Sequence, residues 1–464
     1  MSKRPGRRRI VREEFAEVDL GDPRREARAA AIADRLAVAP EASLPDAMGD
    51  RAMLEALYRH LSSDGVSFEA LLEQHLARTA ARVAGPVYAV HDTTACTFSG
   101  EAIREGLGTV AAKSQGFLAH VTLAVSTDGM RIPLGVLGCE LWTRKGARDM
   151  AESEALRWNR GMEAASRRVG GAGKVIHVAD READSYALLD ELVQRGERFI
   201  IRASQDRAVV IEGAELAYLY DAVRETRQTY ELEVPISPRG GGFKRPASTR
   251  RAHPERDARV ARLSFAARTL SIQRPGKPRK SLPPSIQVNV VHLLELWPPP
   301  GEKPVEWLLY TTEPVGTREE IAQVVEGYRT RWIIEEYFKA VKTGCAYEEK
   351  QLESFRALTN LLAYSMVVAY AMLLMRSLAR VDAAVPADAI LSPDQITCLR
   401  LMTRKKLPRS PLARDVLEAI AILGVHLKNN GDPGWRVLSR GWKKLLDFEA
   451  AYQAMKQAGL VINR

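Results

Sequence analysis

The chain has 464 residues, enough for two or three domains and a sizeable hydrophobic core. Hydrophobic residues make up 46% of the sequence and charged residues 27%, which is typical of a soluble globular protein and argues against a disordered chain. The formal net charge of +10 predicts a polyanionic partner, nucleic acid first, because clustered cations release counterions from phosphates.

Three features bear on the compartment in which the protein works. The four cysteines are far apart and show no C-x-x-C spacing, so we expect neither a zinc site nor a disulfide framework, as fits a reducing cytoplasm. The N-terminus is basic but lacks the apolar segment of a signal peptide. The apolar run from Leu361 to Met375 is short for a bilayer span. We therefore predict a buried core helix there, a cytoplasmic protein and no membrane partner.

The first 70 residues are predicted to form a small, arginine-rich helical domain. Residues 1–12 hold six Lys or Arg and no acid, which predicts a mobile basic arm. A helix is expected from Pro23, because Asp22 is a natural N-cap and proline suits the first helical position. A second helix is predicted over residues 45–61, and a third begins near Ser67.

Residues 86–204 follow a mixed α/β order. The segments VYAVHDTT, LAHVTLAVS and PLGVLGCELWTR read as strands, and a helix over residues 150–169 ends at glycines. The strand KVIHVAD, the helix READSYALLDELVQRG and the strand ERFIIRAS complete the pattern. This order predicts an α/β domain.

The next part of the chain is predicted to be an antiparallel β insertion, followed by helices. Residues 239–280 hold thirteen Lys or Arg against two acids, with many glycines and prolines. Four strand-like segments surround these basic loops: TYELEVPIS, ARLSFAARTLSIQ, SIQVNVVHLLEL and EWLLYTT. Long helices are predicted over residues 317–345 and 352–380, and further helices extend to about Ala458.

The predicted helix over residues 317–345 carries an unusual polar face. At 100° per residue, Tyr328, Arg331, Glu335, Lys339 and Lys342 fall within about 80° of one another, opposite an apolar face. One interpretation is a solvated face with ordinary ion pairs between neighbouring turns. The other is a metal-binding carboxylate flanked by cations that hold phosphates.

Two aspartates supply further candidate ligands. Asp92 ends the predicted strand VYAVHD, and Asp180 ends the predicted strand KVIHVAD. An acid in such a place is usually a turn former or a helix cap. Together with Glu335, however, the two aspartates form a set of hard oxygen ligands suited to Mg²⁺ or Mn²⁺. A pair of such ions, about 3.5–4 Å apart, can activate a nucleophile and stabilise a leaving oxygen at phosphorus.

These motifs resemble those of a known family. Tyr328, Arg331, Glu335 and Lys342 have the intervals of two, three and six residues of its tyrosine–arginine–glutamate–lysine signature. Further matches are LGDPRR at 20–25, ALYRHL at 56–61, HDTT at 91–94, DREAD at 180–184, RFIIRAS at 198–204, PVEWLLYTTEPV at 304–315 and RGWKKL near the end. The chain therefore resembles the bacterial DDE transposases of the insertion-sequence-four superfamily, and among them the type found in the composite transposon Tn-five.

The resemblance implies a particular architecture. It implies an RNase H-like catalytic core over residues 71–370, interrupted by a β insertion at about 206–315. A helical DNA-end-binding domain would occupy residues 1–70, and a helical dimerisation domain residues 371–464. Two copies would then hold two DNA ends in a homodimeric synaptic complex.

The resemblance also implies roles for individual residues. Asp92, Asp180 and Glu335 would be the catalytic carboxylates and would bind two Mg²⁺ or Mn²⁺ ions. Trp307 would stack on a flipped base, since an unstacked base needs an aromatic platform. The other expected DNA contacts are Tyr328, Arg331, Lys339, Lys342 and Arg202 near the reacting end, and Arg24, Arg25 and Arg28 in end recognition.

The implied reaction is cut-and-paste transposition of double-stranded DNA. Water nicks one strand, the new 3′-OH attacks the opposite strand to close a hairpin, a second water opens the hairpin, and the 3′-OH then attacks target DNA. Two alternatives stay open on the sequence. One is another RNase H-like nuclease without synapsis, and the other is a non-catalytic DNA-binding regulator. A protein of this kind would be cytoplasmic and associated with the nucleoid when bound to DNA.

Overall fold

The structure is a computed structural model, and it describes residues 7–100, 103–111, 114–144, 150–211, 216–224, 230–236, 255–276, 282–381, 385–403, 406–426 and 433–459. The chain divides into two compact units, and each is described by itself. The first unit comprises Met1–Lys174 and Trp332–Arg464, and the second comprises Val175–Arg331. The predicted domain boundaries stay predictions.

Helices and strands follow the predicted mixed α/β order. The helices are α1 (Arg7–Glu14), α2 (Pro23–Val38), α3 (Leu44–Met48), α4 (Arg51–Ser62), α5 (Phe68–Ala81), α6 (Met150–Val169), α7 (Tyr186–Gln194), α8 (Leu219–Arg224), α9 (Arg318–Arg329), α10 (Trp332–Lys339), α11 (Phe355–Arg380), α12 (Pro393–Met402), α13 (Ala413–Leu423) and α14 (Trp435–Gln457). The strands are β1 (Val87–Phe98), β2 (Gly108–Ala111), β3 (Ser114–Ser126), β4 (Pro133–Trp142), β5 (Val175–Ala179), β6 (Arg198–Arg202), β7 (Ala208–Val210), β8 (Leu216–Tyr218), β9 (Tyr230–Ile236), β10 (Arg259–Gln273), β11 (Ser285–Glu295) and β12 (Glu306–Thr311).

In the first unit, β3 pairs antiparallel with β1, β2 and β4. The register places Asp92 opposite Val121 and His91 opposite Thr122. Because side chains alternate along a strand, Asp92 and His91 point to opposite faces of the sheet. Helix α6 packs on the His91 face, where Gly161 lies against the His91 ring. Helix α10 also packs on β1.

A long apolar helix, α11, forms the core of the first unit. By length and composition α11 is able to cross a membrane, but 94% of its apolar window is buried inside the protein. Helices α1, α2, α4 and α5 all pack against it. Its Tyr364 stacks on Phe15 with ring centroids 4.9 Å apart, and its hydroxyl lies 2.8 Å from Nε2 of His60. The predicted core helix is therefore confirmed, and the predicted boundary at residue 370 falls inside it.

Two predictions for the N-terminal helices were wrong. The mobile arm was expected to reach residue 12, but α1 begins at Arg7, and Arg8 and Arg12 both pair with Asp34 of α2. The rest of the predicted arm, residues 1–6, lies outside the described residues. The helix predicted over residues 45–61 is divided into α3 and α4, because Gly49 adopts a left-handed conformation (φ 77°) between them.

The second unit contains the predicted antiparallel insertion. Strands β5 and β6 are parallel, β12 pairs antiparallel with β6, and β11 and β10 continue the ladder. Strand β10 also pairs with β9 and with β7, which in turn pairs with β8. The sequence pattern missed β7 and β8, which have only three residues each. Much of the predicted basic segment, residues 239–254 and 277–280, lies outside the described residues.

The single helix predicted over residues 317–345 was wrong. Helix α9 ends at Arg329. The Thr330 hydroxyl donates to the Glu326 carbonyl at 3.1 Å, and the Arg331 N–H donates to the Tyr328 carbonyl at 3.0 Å. These bonds tighten the last turn and close α9. Helix α10 then covers Trp332–Lys339 and continues as a π-helical turn, Ala340–Gly344.

Candidate functional site

Asp92 lies in the middle of β1 rather than at its end, because β1 continues to Phe98 against β3. This corrects the predicted strand end. The side chain is half-buried, and its Oδ1 accepts the Thr93 N–H at 2.7 Å. Strand alternation places Asp92 on the same face as Thr94 and Cys96. Both of these residues line a small cavity against α10.

Glu335 lies on α10, which packs against β1 in the first unit. It is half-buried and precedes Phe338 by three residues and Lys342 by seven, and both of these side chains line the same cavity. Residues three and seven positions apart share one side of a helix. The cavity therefore adjoins β1 and α10, the elements that carry Asp92 and Glu335, although neither carboxylate is among the residues that line it.

Lys342 has a partner that the sequence analysis did not identify. Its ammonium group donates to the Ala95 carbonyl of β1 and lies 3.2 Å from Oε1 of Glu348. The same Glu348 oxygen accepts the Thr97 N–H at 2.9 Å and the Thr97 hydroxyl at 3.1 Å. In this structure Lys342 is held by protein groups. No sequence signal pointed to Glu348, since the segment was predicted to be helical and a separation of six residues places two side chains on different sides of a helix.

Lys339 lies on the surface of the same helix. Its ammonium group pairs with Glu336 at 2.9 Å and lies 5.3 Å from the centre of the exposed Trp332 ring. Glu336 also pairs with Arg376 at 3.0 Å. Burial alone would raise the pKa of Glu336, but the hydrogen bond from Lys339 and the charge of Arg376 outweigh it, so the pKa lies below its usual range.

In the second unit, four of the predicted site residues lie together around Tyr328. The Tyr328 side chain is buried, its ring meets the Trp307 ring edge-on at 5.2 Å, and the Arg202 guanidinium lies close enough for its charge to act on the hydroxyl. Burial raises the pKa of Tyr328, and the positive charges of Arg202 and Arg331 offset part of that rise. Asp180 is also close enough for its charge to act on the phenol.

Parallel strands explain why Asp180 and Arg202 are neighbours. In the β5–β6 register Ala179 lies opposite Ile201, so Asp180 and Arg202 follow at the carboxyl ends of both strands. Asp180 caps a short 3-10 turn, where its Oδ1 accepts the Glu182 N–H at 2.8 Å. The helix predicted to begin at once after Asp180 therefore begins later, at Tyr186.

The N-terminal arginines lie on α2. Arg24 and Arg28 are exposed, whereas Arg25 is half-buried, donates to the Leu20 carbonyl at 3.4 Å and lies against Gly65. Beneath them, burial together with the charges of Arg28 and Arg25 lowers the pKa of His60 to about 4. Helix α2 therefore presents Arg24 and Arg28 outward beside a histidine that stays neutral at physiological pH.

The three predicted catalytic carboxylates belong to different units: Asp92 and Glu335 to the first, Asp180 to the second. Among the residues that the structure describes, no group of three or more His, Cys, Asp or Glu side chains is arranged to hold a metal ion. The donor chemistry nevertheless fits, because carboxylate oxygens are the ligands that Mg²⁺ and Mn²⁺ prefer. A joint metal site of Asp92, Asp180 and Glu335 stays a prediction.

Comparison with known proteins gives the family. Residues 7–66 match a family model described as transposase DNA-binding, and residues 149–372 match one described as a transposase DDE domain. The second match includes Asp180 and Glu335, and Asp92 lies before its start. DDE domains generally use divalent metal ions to cleave DNA and transfer strands.

Among solved structures, the chain is similar to a piggyBac transposase in a synaptic complex with hairpin DNA. The identity is 8% and the TM-score 0.32, over 66% of this chain and 51% of that one. The match thus spans about half of the piggyBac chain. Both family models are described as parts of transposases. The chain belongs to the DDE transposase family.

Proposed function

We propose that this protein is a cut-and-paste transposase of the insertion-sequence-four superfamily, close to the Tn-five type, with an RNase H-like core. The observation that carries the proposal is the group in the second unit in which Arg202, Trp307 and Tyr328 adjoin Asp180. These residues come from β6, β12, α9 and the end of β5, so separate sequence motifs supply one group. A cation, an aromatic platform and a carboxylate are what an enzyme that reshapes a DNA end requires.

The carboxylates Asp92, Asp180 and Glu335 are proposed to hold two Mg²⁺ or Mn²⁺ ions. When bound, such ions activate the attacking oxygen and stabilise the leaving oxygen at phosphorus. The chain itself supplies the positions of these carboxylates: β1 fixes Asp92, α10 fixes Glu335, and the capped turn after β5 fixes Asp180. The half-buried setting of Asp92 and Glu335 limits water at the reacting phosphate.

The proposed DNA contacts have different exposures. Lys339 is exposed and Arg331 half-buried, and both suit backbone phosphates, as do Arg24 and Arg28 in end recognition. Trp307 is half-buried, with its ring against Tyr328, and offers an aromatic platform for a base flipped out during hairpin formation. In hairpin formation the 3′-OH of the nicked strand would attack the phosphate of the opposite strand and displace the 3′-oxygen of the flanking DNA. Water would then open the hairpin before the 3′-OH attacks target DNA.

A homodimer is proposed for the complex that holds two DNA ends. Its support is an exposed apolar stripe on the last helix, α14, where Phe448, Ala451 and Met455 follow one another at intervals of three and four residues. Such spacing forms one face of a helix, and an exposed apolar face favours burial against a partner. Light scattering with and without end DNA tests this step. We further propose that the protein works in the cytoplasm, on the nucleoid.

The test uses an end duplex labelled on each strand, with Mg²⁺. Wild-type protein is expected to nick the end, form a hairpin visible on a denaturing gel, and join a pre-cut end to a plasmid. Glu335→Gln is expected to lower the nicking rate more than about 100-fold, beyond the loss typical for an outer-shell partner. The matched control is Glu336→Gln, at the neighbouring carboxylate that pairs with Lys339 and Arg376.

The outcomes separate the candidate functions. Cleavage without joining of a pre-cut end would indicate an RNase H-like nuclease that does not transpose. End binding that ignores Mg²⁺, with no cleavage, would indicate a regulator. Equal nicking by the Glu335→Gln variant and the wild type would remove Glu335 from the mechanism.

A further inference from the structure

Asp184, the last residue of the DREAD motif, is a buried carboxylate with an unusually complete set of hydrogen bonds. Its side chain has no exposed surface. Oδ2 accepts the Ser204 N–H at 2.6 Å, the Ser204 hydroxyl at 3.0 Å and the Gln205 N–H at 3.0 Å. Oδ1 accepts from Nε of Arg207 at 3.2 Å and from Nη2 at 2.6 Å. Arg207 also donates to the Asp184 carbonyl at 3.0 Å.

This one carboxylate joins two loops. The first is the turn after β5, which begins with Asp180 and ends at Asp184. The second is the loop after β6, which follows Arg202 and contains Ser204, Gln205 and Arg207. Because β5 and β6 are parallel, both loops leave the sheet at its carboxyl edge, where Asp180 and Arg202 lie. The Asp184 contacts therefore join the backbone that follows Asp180 to the backbone that follows Arg202.

Neither loop is stabilised by the regular backbone hydrogen bonds of an α-helix or a β-sheet. Helix α7 begins only at Tyr186, and its N-cap Ser185 makes no side-chain cap bond. Burying a carboxylate is costly unless it is paired and hydrogen-bonded, and both acceptor oxygens of Asp184 are fully used. A side chain fixed in this way holds the backbone to which it bonds in one arrangement.

We propose that Asp184 and Arg207 are positioning residues for the DNA-cleaving reaction. They hold the Asp180 turn and the Arg202 loop in fixed relation, so that Asp180 receives its metal ion and Arg202 its DNA contact without rearrangement. The inference rests on the proposed function, because it takes Asp180 as a metal-binding residue. It goes beyond that function in assigning a role to a buried ion pair that touches neither metal nor DNA.

The same unit offers a matched control. Glu295 is another buried carboxylate, with 1% of its side chain exposed, and it pairs with Arg259. It also accepts a backbone N–H, that of Val305, at 3.0 Å. These residues belong to β10, β11 and the connection before β12, within the β insertion. Loss of the Glu295 charge removes a comparable buried pair without touching the Asp180 turn or the Arg202 loop.

The experiment compares full-length Asp184→Asn, Arg207→Lys and Glu295→Gln with the wild type. Melting temperature, amide hydrogen exchange at Ser204 and Gln205, Mn²⁺ affinity by electron paramagnetic resonance and nicking of a saturating end duplex are measured for each. We expect Asp184→Asn to lose exchange protection, to bind Mn²⁺ about 10-fold more weakly and to nick about 100-fold more slowly. Arg207→Lys keeps the charge but loses the fork of donors, so a smaller loss in the same direction is expected.

Comparison with the control decides the inference. Glu295→Gln is expected to lower the melting temperature while keeping wild-type Mn²⁺ affinity and nicking rate per folded molecule. Equal Mn²⁺ affinity and equal nicking in the Asp184→Asn and Glu295→Gln proteins would overturn the positioning role. If Asp184→Asn fails to fold, Arg207→Lys against Glu295→Gln gives the same decision. If the wild type cuts no ends, the proposed function fails, and the Mn²⁺ affinities of the variants still decide the inference.

Discussion

Replacing Glu348 by glutamine tests whether Lys342 binds a phosphate once its ion pair with Glu348 is removed. Glu348 accepts two hydrogen bonds from Thr97 and pairs with Lys342 at 3.2 Å. Glutamine keeps an amide oxygen for Thr97 but removes the charge that Lys342 faces. We therefore expect the substitution to weaken the fold and, at the same time, to strengthen end-DNA binding.

The contacts set the size of both effects. The Lys342 and Glu348 side chains are 28% and 25% exposed, so their ion pair is only partly screened by water. Such a pair contributes roughly 0.5–1 kcal/mol, and the free energy of unfolding should fall by about that amount. In the variant, Lys342 does not have to break an ion pair with Glu348 before it binds a phosphate. At about 1 kcal/mol, end-DNA affinity should rise roughly fivefold. The slope of log K against log salt should steepen by about one unit.

The assay is fluorescence anisotropy of an end duplex over a range of salt concentrations, with urea unfolding of the same proteins. The matched control is Glu349→Gln, at the adjacent carboxylate, which is 62% exposed and pairs with Arg436. Lys342→Ala in the Glu348→Gln background should abolish the gain in affinity. An unchanged or weaker affinity in Glu348→Gln, with an unchanged salt slope, would refute the reasoning and leave Lys342 as a structural cation.

Further predictions concern stability. Burial lowers the pKa of His60 to about 4 and of His120 to about 3, so only the unfolded chain takes up their protons below about pH 6.5. Stability should be full above that pH and fall as the pH drops to about 4, by about 3 kcal/mol per pH unit for the two together. Urea unfolding at several pH values checks this, and a flat profile would contradict it. Gly441→Ala should destabilise the protein by about 1–3 kcal/mol, although alanine is the better helix former. The new Cβ would lie 1.9 Å from the Ile420 carbonyl oxygen, and a thermal melt equal to that of the wild type would contradict this prediction.

The elements that the sequence predicted well are those with strong local signals. Helix α2 starts at Pro23 under an Asp22 cap, as the capping pattern required, and α6 covers the predicted residues 150–169. The antiparallel insertion followed from strand-like segments separated by turn residues, and the register of β10, β11 and β12 confirms it. In these segments local propensity and the burial pattern favour the same structure.

The elements that the sequence predicted poorly depend on contacts between distant residues. The break after Arg329 has neither glycine nor proline at Thr330, and the helical pattern continues through it without a visible change. The Asp184 carboxylate bonds to residues twenty or more positions away. The helical pattern after Asp180 therefore did not indicate that α7 begins only at Tyr186. Such contacts are fixed by tertiary packing, which overrides local propensity.

The signature residues differ in what the fold allows them to do, although their spacing presents them as one polar face. Tyr328 is buried, with its ring against Trp307 and its phenol under the influence of the Arg202 charge. If the proposed function holds, Tyr328 is expected to support Arg202 and Trp307 rather than to meet a phosphate itself. Lys342 is held by Glu348, and its availability to DNA depends on an ion-pair energy of only about 1 kcal/mol. Matching intervals predict which positions take part in DNA-end chemistry, but the partner of each side chain decides whether it is available to DNA.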